Sequence, residues 1–196
     1  AGSGKSNVVT KLGLRDQGFQ IVNQDISLEW LKKQANLPED MKNLNKDQRS
    51  ILGKIGHQAR GIAQRKRLEF AERGEAVVVD GTGGSIKMMT KLVNEFKDKG
   101  YDTGMMFVET SLDVALDRNQ KRKERSLLDI IVRKNHEAVQ GNKPGFKKMF
   151  GDQFMELNTD NLTQASLMPQ DLVSKMDNFI GREVLVDGKL PSWIID

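Results

Sequence analysis

Gly4-Lys5-Ser6 closes the pattern G-x-x-x-x-G-K-[ST], with Gly2 and Ser3 inside it. Residue types at this spacing hold phosphate. Glycines let several backbone N–H groups converge on phosphate oxygens, and the helix that follows adds the positive end of its dipole. In such a loop Lys5 reaches the β- and γ-phosphates and Ser6 offers its hydroxyl to Mg²⁺. The first Gly of the pattern would fall two positions before Ala1, as would the strand that feeds the loop. The sequence therefore reads as a piece that begins inside the motif; the competing reading of these residues is a flexible Gly/Ser terminus.

Other groups with chemical potential follow apolar stretches. Asp80 ends the run Val77-Val78-Val79 and is followed by Gly81-Thr82-Gly83. A carboxylate there can hold Mg²⁺ directly or through water, and glycines let backbone approach a ligand; the same Asp-Gly residues could be a plain turn. Asn23-Gln24-Asp25, Glu109-Thr110 and Asn158-Thr159-Asp160 likewise follow short apolar runs. Arg118, Arg122 and Arg125 recur at helical spacing, which puts three guanidiniums on one face. They repel one another unless anions lie near, or the face is simply solvated.

The elements that must position these groups alternate. Helices are expected over Gly4–Asp16, from Ser27 to Gln34, over Asp47–Arg73 (stopped by Gly74), Ser85–Lys99, Ser111–Lys123, Leu127–Gln140 and Pro169–Ile180. Strands are expected over Phe19–Asn23, Ala76–Val79, Thr103–Val108 and Gln153–Leu157. Ala76–Val79 is short, apolar and β-branched, as for a strand covered on both faces. Gly141–Gly145 reads as a loop around Pro144, and Asp187-Gly188 as the turn of a C-terminal hairpin. Strand–helix alternation implies an α/β fold with a mostly parallel sheet, whose ligands lie beyond the carboxyl ends of the strands. One domain over 1–181, with a lid at about 118–148, and a tail over 182–196 is the expected organisation.

Composition narrows the function classes. The 196 residues contain no Cys and two His, which excludes a disulfide scaffold and thiol chemistry and disfavours a multi-histidine metal centre. No apolar run approaches the roughly 20 residues of a membrane span, so a cytoplasmic protein without a membrane partner is expected. The net charge is +4, unevenly spread: six cations and two anions from Lys54 to Arg73, seven and two from Arg118 to Lys134, but three and eight from Gly151 to Asp196. Basic segments suit phosphate-bearing ligands, or are solvated helix faces. Aromatics at 6% argue against base-stacking platforms. His57 and His136 read as surface residues, Trp30 and Trp193 as packing or edge residues, and the Met88-Met89 and Met105-Met106 pairs as core.

Four patches together resemble the small P-loop kinases grouped with polynucleotide kinase, zeta-toxin-type kinases and gluconate-kinase-like enzymes. They are Gly2–Ser6, Ile21–Asp25, Val77–Gly83 and Glu109-Thr110-Ser111 through Arg118–Arg122. The resemblance implies a three-layer P-loop NTPase with sheet order 2-3-1-4-5, whose first strand is missing from this sequence. It implies an ATP- and Mg²⁺-dependent transfer of the γ-phosphoryl group to a hydroxyl acceptor: a polynucleotide 5′-hydroxyl, a nucleotide sugar or a small metabolite. Asp25 would take the acceptor proton; from the residues alone it could instead cap the next helix. Arg118, Arg122 and Arg125 would form the lid over the triphosphate, and Asn158 would lie at the adenine. The position where polynucleotide kinases carry a substrate-gripping Arg holds Leu28, which leaves Arg49 or Arg60 to replace it. Two other classes fit the same residues: an ATPase or switch acting on a partner, and a nucleic-acid-binding module.

Overall fold

A computed structural model describes residues 2–39, 43–122, 126–163 and 165–182. The elements run α1 (Lys5–Lys11), β1 (Gln20–Asn23), α2 (Gln24–Gln34), α3 (Lys46–Glu72), β2 (Val77–Asp80), α4 (Ile86–Lys97), β3 (Met105–Glu109), α5 (Leu112–Gln120), α6 (Asp129–Phe150), a 3-10 turn (Gly151–Gln153), β4 (Phe154–Asn158) and α7 (Gln170–Ile180). β1 pairs with β2 and β3 with β4, both in parallel. These are the 2-3 and 4-5 adjacencies of the expected order, and they form two separate ladders among the described residues.

Alternation along the strands divides the core into layers. Ile21, Val78, Met106, Val108, Met155 and Leu157 face one side, where Val8 of α1 and Leu172 and Met176 of α7 pack on them. Met105, Phe107 and Phe154 face the other, against Val93 of α4 and Phe146 and Phe150 of α6. α3 packs against both β1 and β2. Helices thus cover both faces of parallel strands, the three-layer α/β arrangement of a P-loop NTPase. Ser85 and Ser111 cap α4 and α5 by accepting from Met88 N and Val114 N, and Asn45 and Gln48 form a reciprocal capping box at α3.

Several expectations need correcting. Gly141–Gly145 is not a loop, because α6 runs unbroken through Pro144. Tertiary contacts outweigh helix propensity there. Phe146 is 0% exposed, Lys143 bridges Glu109 and Glu156, and a Cβ at Gly145 would lie 2.9 Å from Ile86 Cδ1. α1 is shorter than Gly4–Asp16, since Gly13 turns the chain at φ 61° and Leu14 drops into the core. Val77, Val78 and Val79 are only half-buried, because β2 has one paired edge among the described residues. α5 ends at Gln120 with Lys121 as C-cap, so Arg122 lies beyond the helix that carries Arg118. Trp30 is 59% exposed and Met88 is also on the surface, whereas the His136 ring is half-buried, with Nε2 2.9 Å from Thr110 O. Arg125, Trp193 and the expected hairpin lie outside the described residues.

Candidate functional site

The phosphate-type loop is built on two left-handed glycines. Gly2 has φ 83° and Gly4 φ 77°, a conformation L side chains rarely adopt. Gly2 is doubly constrained: a Cβ there would lie 2.6 Å from Ala115 O on α5. Gly4 is the N-cap of α1, and its carbonyl accepts from Asn7 N and Val8 N at 3.0 and 3.2 Å. No side chain caps this end. Val8, 2% exposed, roots α1 in the core, and Lys5 and Ser6 form the first residues of that helix directly after the loop glycines.

A carboxylate cluster lies at the carboxyl ends of β1 and β2. The parallel register pairs Asn23 with Asp80, and Asn23 Nδ2 donates to Asp80 Oδ2 at 2.7 Å. Asn23 also caps α2, its Oδ1 accepting from Asp25 N at 2.7 Å. The capping role left open for Asp25 is therefore filled by Asn23, and Asp25 sits exposed in the first turn of α2. Burial pushes the Asp80 carboxyl up from its ordinary range. Lys5 opposes that shift, Asp25 adds to it, and the bond from Asn23 opposes it. Lys5, Asp25 and Asp80 therefore share one electrostatic neighbourhood, although they are separated by 20 and 55 positions in the chain.

A third cluster joins the loop to the turn after β4. Arg118 Nη1 donates to Thr159 Oγ1 at 3.0 Å and Gly2 O at 3.4 Å, and Nη2 to Thr159 O at 2.6 Å and Asp160 O at 3.5 Å. Thr159 Oγ1 lies 3.0 Å from Ser3 O. Asp160 accepts from Thr110 Oγ1 at 2.6 Å and Ser111 N at 2.7 Å, which hold its carboxyl below the usual range. Between loop and turn lies a cavity of about 260 Å³ lined by Gly2, Gly4, Val8, Arg118, Arg122 and Leu162. Among the described residues no three His, Asp or Glu side chains cluster as a metal site, and no helix is long and apolar enough to cross a membrane.

Of the expected site residues, Lys5, Asp25 and Asp80 come together, with Gly2, Ser3, Gly4 and Ser6 in the loop. Arg118 and Arg122 line the cavity. Asn158 does not: its Oδ1 accepts from Asp160 N at 2.8 Å within the turn. The reason is strand alternation. Met155, Leu157 and Thr159 are buried on the α1 face while Glu156 and Asn158 point outward. That period of two was readable in the sequence and selects Thr159 from the Asn158-Thr159-Asp160 group, of which the resemblance placed only Asn158 at the adenine. Asn23 was named with Gln24 and Asp25 but given no role of its own; its signal was an Asn standing between a strand and a helix.

A model of the AAA domain family matches residues 1–142. The chain belongs to that family. The matched span carries the phosphate loop, both carboxylates, Arg118 and Arg122, and reaches into α6. For this AAA domain chain the match and the parallel strands together establish a nucleotide-binding P-loop domain of kinase-like type. No curated protein matches the sequence.

Proposed function

We propose that the protein is an ATP-dependent phosphotransferase that moves the γ-phosphoryl group to a hydroxyl acceptor. The observation that carries this reading is the shared neighbourhood of Lys5, Asp25 and Asp80, with Asn23 bonded to both the Asp25 backbone and the Asp80 carboxylate. A plain nucleotide binder needs the lysine and one carboxylate. A second carboxylate, exposed in the first turn of α2, is what a kinase adds to take the acceptor proton.

The residues suit both cofactors. Hydroxyl and carboxylate oxygens are the hard donors Mg²⁺ prefers, so Ser6 and Asp80 would hold it. Bound there, Mg²⁺ would neutralise charge on the phosphate oxygens. The guanidinium of Arg118 is bonded to carbonyl and hydroxyl oxygens, with no carboxylate within ion-pair distance among the described residues, so it keeps its positive charge beside the phosphate loop. Gly2, Ser3, Gly4 and Lys5 would hold the phosphates, and the cavity beside Val8 and Leu162 would take the base.

The acceptor oxygen bonds to the γ-phosphorus as the bond to the β-phosphate oxygen breaks. Its proton passes to the Asp25 carboxylate, and ADP leaves. Lys5 stabilises charge on the transferring group. Arg122 on the cavity wall, and Arg125, would meet the triphosphate from the lid side. The acceptor class stays open among a polynucleotide 5′-hydroxyl, a nucleotide sugar and a small metabolite. Leu28 is half-buried on α2 and takes no phosphate; Arg49 and Arg60 bond backbone carbonyls of α3 and the residues before it.

The test is γ-labelled ATP offered with 5′-hydroxyl DNA and RNA, UDP-sugars and hexonates. Label in an acceptor, lost in Lys5→Ala, is expected. Free phosphate alone would favour an ATPase or switch. Nucleic-acid binding with a steep salt slope and no nucleotide dependence would favour a binding module.

A further inference from the structure

We infer that Thr159 and Arg118 are positioning residues that set the phosphate loop from behind, by gripping its carbonyl groups. The inference rests on reading Gly2–Ser6 as the nucleotide's loop. It goes beyond that reading because it assigns work to a residue outside the family match and changes the work of Arg118.

The argument starts from the planarity of the peptide bond. In a trans peptide the C=O of one residue and the N–H of the next point in opposite directions. Arg118 Nη1 holds Gly2 O at 3.4 Å, and Thr159 Oγ1 holds Ser3 O at 3.0 Å. Fixing these two carbonyls on Arg118 and Thr159 turns the N–H groups of Ser3 and Gly4 away from those two side chains. Two consecutive amides held in that orientation make an anion-binding concavity. With both glycines left-handed and no side-chain cap on α1, the loop needs an external restraint of this kind.

The grip is itself well held. Thr159 is 3% exposed. Its backbone N–H donates to Glu109 O at 2.9 Å, which ties it to the end of β3. Its one hydroxyl proton has two carbonyl oxygens in reach, Ser3 O at 3.0 Å and Glu109 O at 3.1 Å, and its oxygen accepts from Arg118 Nη1 at 3.0 Å, so the hydroxyl links the loop, the end of β3 and Arg118. The four N–H bonds of the two terminal nitrogens of Arg118 are directed at Gly2 O, Thr159 Oγ1, Thr159 O and Asp160 O. A guanidinium so committed acts on the nucleotide through the loop it orders, whereas a lid arginine would present its fork to the triphosphate. The same Thr159 lines the cavity beside the loop, so the base side and the phosphate side of the site share one hydroxyl.

The test uses Thr159→Val, which keeps the shape and removes the hydroxyl, and Thr159→Ser, which keeps the hydroxyl. Two readouts are taken on the full chain. One is the ¹⁵N order parameter of the Ser3 and Gly4 amides without nucleotide. The other is the Kd for Mg-ATP alongside kcat at saturating ATP. In wild type the two amides should be ordered, near 0.85; in Thr159→Val they should fall below about 0.6. Mg-ATP should bind about 5-fold more weakly, the usual effect of losing one hydrogen bond, and kcat at saturating ATP should fall by less than the affinity does. Thr159→Ser should stay close to wild type in every readout. Unchanged order and affinity in Thr159→Val would overturn the inference, as would a Thr159→Ser variant as impaired as the valine. If the valine variant does not fold, Arg118→Lys replaces it: that variant keeps the charge but not the fork, and unchanged loop order would overturn the inference. The relaxation measurement needs no nucleotide, so it judges the grip even if the protein transfers no phosphate.

Discussion

Asn23 Nδ2 donates to Asp80 Oδ2 at 2.7 Å across the register of two parallel strands. This bond fixes the Asp80 carboxylate while it sits in a half-buried position that penalises charge. Because the folded Asp80 carboxyl titrates above its ordinary value of 3.8, the native state binds its proton more tightly than the unfolded state does. Its contribution to stability is full below that value and is lost as pH rises through the raised one. Asp80→Asn should therefore raise the nucleotide-free Tm at pH 7 and flatten its dependence on pH above 3.8, while weakening Mg²⁺-dependent ATP binding. Thermal melts between pH 4 and 7, with nucleotide titrations at pH 7, check both halves.

Glu156 behaves in the opposite sense. Lys143 and Lys147 hold its carboxyl down, from 4.5 to about 2, and Lys143 also pairs with Glu109 at 2.7 Å. A depressed acid stabilises the fold above its unfolded value and loses that contribution as pH falls toward the folded one. Lys143→Met should lower stability most near neutral pH. The gap to wild type should shrink as pH falls from 4.5 toward 2. A gap that stays constant in urea melts across that range would show that the pairs play no part.

Pro144 lies inside α6 and has no N–H for the fourth carbonyl back, that of Gln140. Pro144→Ala restores that donor and removes the ring's crowding, at the cost of a more flexible unfolded chain. A net gain of about 1–2 kcal/mol is expected. Phe146, two residues on and fully buried against Phe107, sets the contrast: Phe146→Ala should cost about 3–5 kcal/mol. Chemical denaturation of both variants measures the two signs.

Much of this arrangement was legible in the sequence. The phosphate pattern, the β-branched run ending in Asp80 and the glycine stops gave the α/β class and most element positions. What escaped depended on contacts distant in the chain. The α6 helix continues past Gly141 because Lys143 and Phe146 meet β3 and β4, which outweighs a Gly-Asn-Lys-Pro-Gly segment that reads as a breaker. The arginine spacing was real, but α5 stops at Gln120, and only the fold reveals that Arg118 turns back to Gly2 and Thr159. Asn158 was placed at the adenine by the family resemblance of the Asn158-Thr159-Asp160 turn; alternation along β4 instead turns Thr159 toward the loop.

Strand edges carry a further consequence. Among the described residues β2 pairs only with β1 and β3 only with β4. Among the described residues the amides that point to the unpaired edge, about half of each strand, have no strand partner, and the three valines of β2 remain half-exposed. Amide exchange in β2 should be faster than in a strand paired on both sides, with openings well below a global stability of roughly 5–15 kcal/mol. Exchange of Val77–Val79 at the global rate would contradict this.

The central claim, that the site transfers phosphate and does more than bind nucleotide, turns on Asp25. Asn23 already supplies the α2 cap, so Asp25→Asn keeps the cap and the side-chain size while removing the carboxylate that would accept the proton. The decisive measurement is kcat for label transfer from γ-labelled ATP to the acceptor, taken with the ATP Kd of the same variant. The account predicts a fall in transfer of about 10²–10⁴-fold, with ATP affinity within about threefold of wild type. Transfer by Asp25→Asn at the wild-type rate would contradict it.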